Sequence, residues 1–166
     1  MKRFLTLSLL LLSFQFAFAQ TILEVAADDP GLSTFVAAVE QAGLTDALNG
    51  EGPFTIFAPT NAAFMQIPSG ELMSLLEDQA TLERILTYHV VPAFVMARDA
   101  VSATSAPTLE GSEISVRVES GNLLINDSKV VKFDVGATEN VQASNGVIHV
   151  IDSVLAPMGV MLGQVA

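Results

Sequence analysis

The spacing of the apolar residues changes at Pro92, and this change limits the fold more than any other feature of the chain. Before it, apolar residues recur at helical intervals. Leu32, Phe35, Val36 and Val39 follow i, i+3, i+4 and i+7, one face of an amphipathic helix, and Gly43 suits its C-terminal cap. Leu44–Leu48 and Glu71–Leu76 read as shorter helical pieces. Gln79–Tyr88 is longer, with Leu82, Ile85 and Leu86 on one side and His89 in line with them. After Pro92, Ile114, Val116 and Val118 alternate with Ser115, Arg117 and Glu119, the period-two pattern of a half-buried strand. Ser120-Gly121-Asn122 and Asn126-Asp127 suit hairpin turns, and Gly146–Pro157 is a β-branched run ended by proline. Helices first and strands afterwards predict an α+β domain with an antiparallel sheet system, rather than a βαβ repeat.

One strand is expected earlier, in FTIFAPTNAAF, Phe54 to Phe64. Phe54, Ile56 and Ala58 point to one face of it, and Thr55 and Phe57 to the other. Pro59 cannot donate a ladder hydrogen bond, so the strand stops there. Thr60 then fits the N-cap of a helix, bonding the N–H of Ala62 or Ala63. The junction has neither the glycines of a phosphate-binding loop nor the serine of a nucleophile elbow. It reads as a structural corner.

Residues 1 to 19 read as an export signal. Lys2 and Arg3 precede the apolar run Phe4–Leu12, and Ala17-Phe18-Ala19 has the small-x-small cleavage pattern before Gln20. Ser13 and Gln15 interrupt the run short of the about 20 residues that a spanning helix requires. The expected product is a single exported domain, residues 20 to 166, secreted or periplasmic and not membrane-spanning. Both signal cations leave with the signal, so five basic residues (seven less two) face eighteen acidic ones, a net charge of −13. The five, Arg84, Arg98, Arg117, Lys129 and Lys132, form no dense run. Nucleic acid, which is bound mainly through lysine and arginine, is not an expected partner. With no cysteine the domain is held by its core alone, and thiol catalysis and thiolate metal sites are excluded. No metal site and no cofactor are expected.

The polar residues inside apolar segments are read first as structural. His89 is expected to be a core histidine bonded to the Pro59-Thr60-Asn61 corner, because buried polar groups take partners. His149, between Ile148 and Val150, reads as a packed strand residue, with Asp152 on the opposite face and so not its dyad partner. Asp28-Asp29 and Glu77-Asp78 lack the spacing of a calcium loop. A hydrolase using His89 is the catalytic alternative. A ligand- or polysaccharide-binding domain is the other, although no tryptophan and one tyrosine leave few stacking platforms.

FTIFAPTNAAF, then YHVV at Tyr88–Val91, then NGVIHVIDSVLAP at Asn145–Pro157 resemble, in order and separation, the three signatures of a fasciclin-like domain. The resemblance covers about Thr21 to Pro157. It implies an antiparallel β wedge or sandwich with N-terminal and central helices packed around it. It also implies a non-catalytic role in extracellular adhesion, with a cell-surface or matrix protein as partner. Tyr88-His89 match a proposed adhesion determinant, and the adjoining apolar segment to Phe94 is a candidate contact surface. Two positions depart from the pattern. Pro92-Ala93 stand where a glycine is common, and Asn140-Val141 stand where integrin-linked animal members carry Asp-Ile. The carboxylate that would meet an integrin metal ion is therefore missing. Thr60, Asn61, His149 and Asp152 are taken as structural motif residues.

Overall fold

The computed structural model describes residues 20–135, 137–138 and 141–160. The expected export signal, residues 1 to 19, lies outside them. Helix α1 (Ile22–Asp28) opens on a capping box: Thr21 Oγ1 accepts from Glu24 N at 3.3 Å, and the Glu24 carboxylate accepts from Thr21 N at 2.7 Å. Asp29 caps a single 3-10 turn, Pro30–Leu32, and α2 (Ser33–Gln41) follows with Phe35 and Val39 buried. Gly43 ends that helical layer with φ at 74°, a conformation open to glycine without strain. Then come α3 (Thr45–Leu48), β1 (Phe54–Pro59), α4 (Asn61–Met65), α5 (Ser69–Glu77), α6 (Gln79–Tyr88), β2 (Val90–Val91) and α7 (Ala97–Ala100). The rest is strand: β3 (Ser105–Pro107), β4 (Glu113–Glu119), β5 (Asn122–Ile125), β6 (Ser128–Val135), β7 (Ala137–Thr138), β8 (Val141–Gln142) and β9 (Gly146–Ile151).

The hairpin turns fall where the sequence puts them. Ser120 and Gly121 take φ of 51° and 80° between β4 and β5, and Asn126 takes 52° between β5 and β6. Seven strands join in the order β2-β1-β9-β6-β5-β4-β3, and β7 and β8 form a separate pair. One pairing departs from the expected antiparallel system. β1 and β9 run parallel, from Phe54 opposite Gly146 to Pro59 opposite Ile151. Both are buried almost throughout, which suits a parallel pair covered on its two faces.

Alternation along these two strands divides the interior. Ile56, Ala58, Ile148 and Val150 face the helices and pack with Phe35, Val39, Leu82, Ile85 and Leu86. Phe57 and Ile151 face the other way, against Val116, Leu123 and Ile125 of the curled β4–β5 hairpin, and against Tyr88 and Leu155. The sheet nearly closes on itself: Leu109 N, beyond β3, donates to Val90 O of β2 at 2.8 Å. Register shifts in β6 between Val130 and Lys132, and again before Val135, bend the sheet where it curls. The Thr60 corner is as expected. Thr60 Oγ1 accepts from Ala63 N at 3.1 Å, and Asn61 ties the corner to the helices by accepting from Thr34 N at 2.9 Å.

Where β1 and β9 begin, the chain is too close for side chains. A Cβ on Gly146 would fall on the Phe54 carbonyl, and one on Gly52 would fall on the Asn145 carbonyl. Asn145 fixes this crossing. Its Oδ1 accepts from Ile22 N at 2.8 Å, and its Nδ2 donates to Leu48 O at 2.7 Å and Gly50 O at 2.9 Å. One side chain therefore holds the start of α1, the end of α3 and the entry to β1. Asn145→Ala leaves a buried N–H and two carbonyls without it, and is expected to lower unfolding free energy by about 3 kcal/mol. Urea denaturation at neutral pH measures this, and an unchanged midpoint would refute it.

Candidate interaction surface

The Tyr-His pair ends α6 and is turned inward. Tyr88 packs in the wedge core, where its hydroxyl receives Asn126 Nδ2 at 3.0 Å and reaches Glu113 O at 3.4 Å. His89 has no exposed surface. Its Nε2 accepts from Leu155 N at 2.9 Å, so the proton resides on Nδ1, which donates to Ile85 O at 2.7 Å. The sequence places His89 in the core correctly and misassigns its partners. Asn61 bonds Pro30 and Ser33 of the helical layer instead, and Thr60 N meets Ile151 O. With both ring nitrogens engaged by main chain, His89 has no lone pair to take a substrate proton, and the hydrolase alternative loses its base.

His149 is also buried, stacked on Phe57 with ring centres 5.6 Å apart and met edge-on by Phe133 at 6.4 Å. Its Nε2 lies 2.7 Å from Val95 O. Asp152 is engaged elsewhere, accepting from Lys129 N at 2.9 Å, so the two form no dyad. Thr55, fully buried in β1, donates to Ala93 O at 2.6 Å and accepts from Val95 N at 2.9 Å. Thr55 and His149 thus strap the segment after β2 onto the sheet by its main chain. Sequence reasoning passed over Thr55, although a hydroxyl inside an otherwise apolar, two-faced strand was the available signal.

The strap presents Phe94, which is 50% exposed. Phe94 borders an open cleft of about 580 Å³ whose other walls include Glu51, Gly52, Pro53, Ser144 and Gly146. Phe133, which meets His149 edge-on, is 45% exposed. Of the remaining candidates, Val141 lies in β8, opposite Thr138. Asn140 lies outside the described residues. Among the described residues, no group of three or more histidine and acidic side chains is placed to hold a metal ion. No helix of these residues is long and apolar enough to cross a membrane.

Burial depresses the basicity of His89 to a pKa of about 4, its bond to Ile85 O opposing the shift. Unfolded, the same ring titrates near 6.5. Between these values the unfolded chain binds a proton that the native one refuses, so acidification favours unfolding. From pH 7 to pH 5 this histidine is expected to remove about 2 kcal/mol of stability. Asp29, held below the usual carboxylate range by its bond to Lys132, adds its loss at lower pH. Urea unfolding at the two pH values tests the slope, which His89→Gln should flatten; an equal slope in both proteins would refute the assignment.

Comparison with known proteins agrees with this geometry. The family model described as Fasciclin domain matches residues 30–157. Protein sll1483 of Synechocystis is 48% identical over 141 residues, covering 84% of this chain and 74% of that protein. Transforming growth factor-beta-induced protein ig-h3 of Sus scrofa is 36% identical over 137 residues, 82% of this chain but 19% of that protein. The solved FAS1 domain pair from the insect cell adhesion molecule Fasciclin I superposes with a TM-score of 0.68 at 25% identity, over 83% of this chain and 51% of that one. The described chain therefore corresponds to one unit of proteins that are longer in these two cases. With its mixed sheet, helical layer and three signatures in register, the chain belongs to the fasciclin domain family.

Proposed function

We propose that the chain is a non-catalytic extracellular attachment module that docks a protein of a cell surface or matrix through the apolar surface around Phe94. The observation that carries this reading is the strap itself. Two buried polar side chains, Thr55 and His149, hold the main chain on either side of a half-exposed phenylalanine. A large aromatic side chain held outward on a fixed backbone loses little freedom on binding, which favours it as an anchor. The kinship with an insect cell adhesion molecule supports the same class of role. Tyr88 and His89 serve it from inside, by fixing the end of α6 and the segment at Leu155. Export by cleavage before Gln20 would deliver the domain to that setting, in a periplasm or outside the cell.

The exported product is expected to begin at or near Gln20, and intact-mass measurement of the secreted species checks this; Met1 retained on a membrane-bound species would contradict it. Attachment is tested with bead-coupled protein against cell-surface and matrix fractions. An amide is a much poorer ligand than a carboxylate for a hard divalent cation, so Asn140→Ala should attach like the wild type. Phe94→Ser, verified as folded by circular dichroism, should lose most attachment. The reverse pattern would move the binding surface to the segment before Asn145.

A further inference from the structure

We propose that the cleft beside Phe94 receives a basic segment of the partner, the Phe94 ring taking an apolar side chain while Glu51 pairs with an adjacent cation. This deepens the attachment reading above and rests on it. Charge carries the choice of occupant. Four of the chain's five basic residues outside residues 1 to 19 are already matched within the fold: Arg84 with Glu110, Arg98 with Asp99, Arg117 with Asp127 and Lys132 with Asp29. The outward field is left to surplus carboxylates. Among the described residues that line the cleft none is basic, and Glu51 is the only charged one. Glu51 is exposed in the turn between α3 and β1, and none of the ion pairs among the described residues uses it.

Part of the cleft wall is also closely packed and hydrogen-bonded. Gly52 and Gly146 admit no side chain, and Asn145 locks the turn that carries Glu51 by bonding Leu48 O and Gly50 O. A half-exposed aromatic ring and a carboxylate lining the same cleft suit an aliphatic residue beside an arginine or lysine, by apolar contact and ion pairing. An acidic or purely apolar partner would leave Glu51 unmatched or repelled.

The test uses the exported domain and three synthetic peptides of equal length: alternating Leu-Arg, alternating Leu-Glu and alternating Gly-Arg. Titration calorimetry at low and at physiological salt reads the affinity. The Leu-Arg peptide is expected to bind best, and Leu-Glu not at all. Glu51→Gln should weaken Leu-Arg binding about two- to fivefold at low salt, the worth of one exposed pair. Glu51→Lys should weaken it further, and both losses should shrink at high salt. Glu77→Lys, on the exposed end of α5 and outside the cleft, makes the same change in net charge. It should leave affinity near the wild-type value. Equal losses in Glu51→Lys and Glu77→Lys would overturn the proposal, since binding would then follow net charge alone. Equal binding of Leu-Glu and Leu-Arg, or of Gly-Arg and Leu-Arg, would overturn it as well. If Glu51→Gln binds Leu-Arg like the wild type while Phe94→Ser still loses attachment to surface fractions, the basic partner is refuted and the attachment surface stands.

Discussion

The parallel pairing of β1 with β9 is the constraint on which the rest of this domain depends. It joins position 54 to position 146 and so closes the chain between them into one loop. Closure of so long a loop costs entropy that only slowly grows with length but must be recovered by what the pair organises. The recovery comes on both faces. The helices α1, α2 and α6 pack on one side of the pair, and the curled β4–β5 hairpin packs on the other. Both clusters of buried apolar side chains among the described residues therefore include side chains of these two strands.

Polar side chains supply the precision that apolar burial lacks. Asn145, His89, Thr55 and His149 are buried, and each bonds main chain far from it in sequence. Among the described residues no buried side-chain polar atom lacks a partner. A cysteine-free domain thus obtains from directed hydrogen bonds some of the cross-linking that disulfides give many exported proteins. The consequence is a dependence on pH, because one of these bonds requires a neutral imidazole.

Local features were legible in the sequence because their causes are local. Helical spacing at Leu32–Val39, the proline stop at Pro59, the Thr60 cap and the Ser120-Gly121 turn each follow from a few adjacent residues. The parallel partner of β1 was not legible, since periodicity shows that a strand is buried and not which strand lies beside it. His89 shows the same limit at one residue. Its place among Ile85, Leu86 and Tyr88 foretold burial, whereas its bond to Leu155 depends on how the chain returns after β9. Tyr88 and Phe94, six positions apart, belonged to one candidate surface by sequence. The fold sends one into the wedge core and leaves the other half in solvent. Thr55 and Asn145 were passed over as agents because each acts on segments distant in sequence.

The strap beneath Phe94 is gripped through Ala93 O, Val95 N and Val95 O, all main-chain groups, by side chains belonging to other strands. Nothing in that grip depends on which side chain occupies position 94. The scaffold and the surface it displays are consequently separable for inheritance: in the attachment role proposed above, substitutions at 94 would exchange one partner for another while Thr55 and His149 keep the backbone where it is.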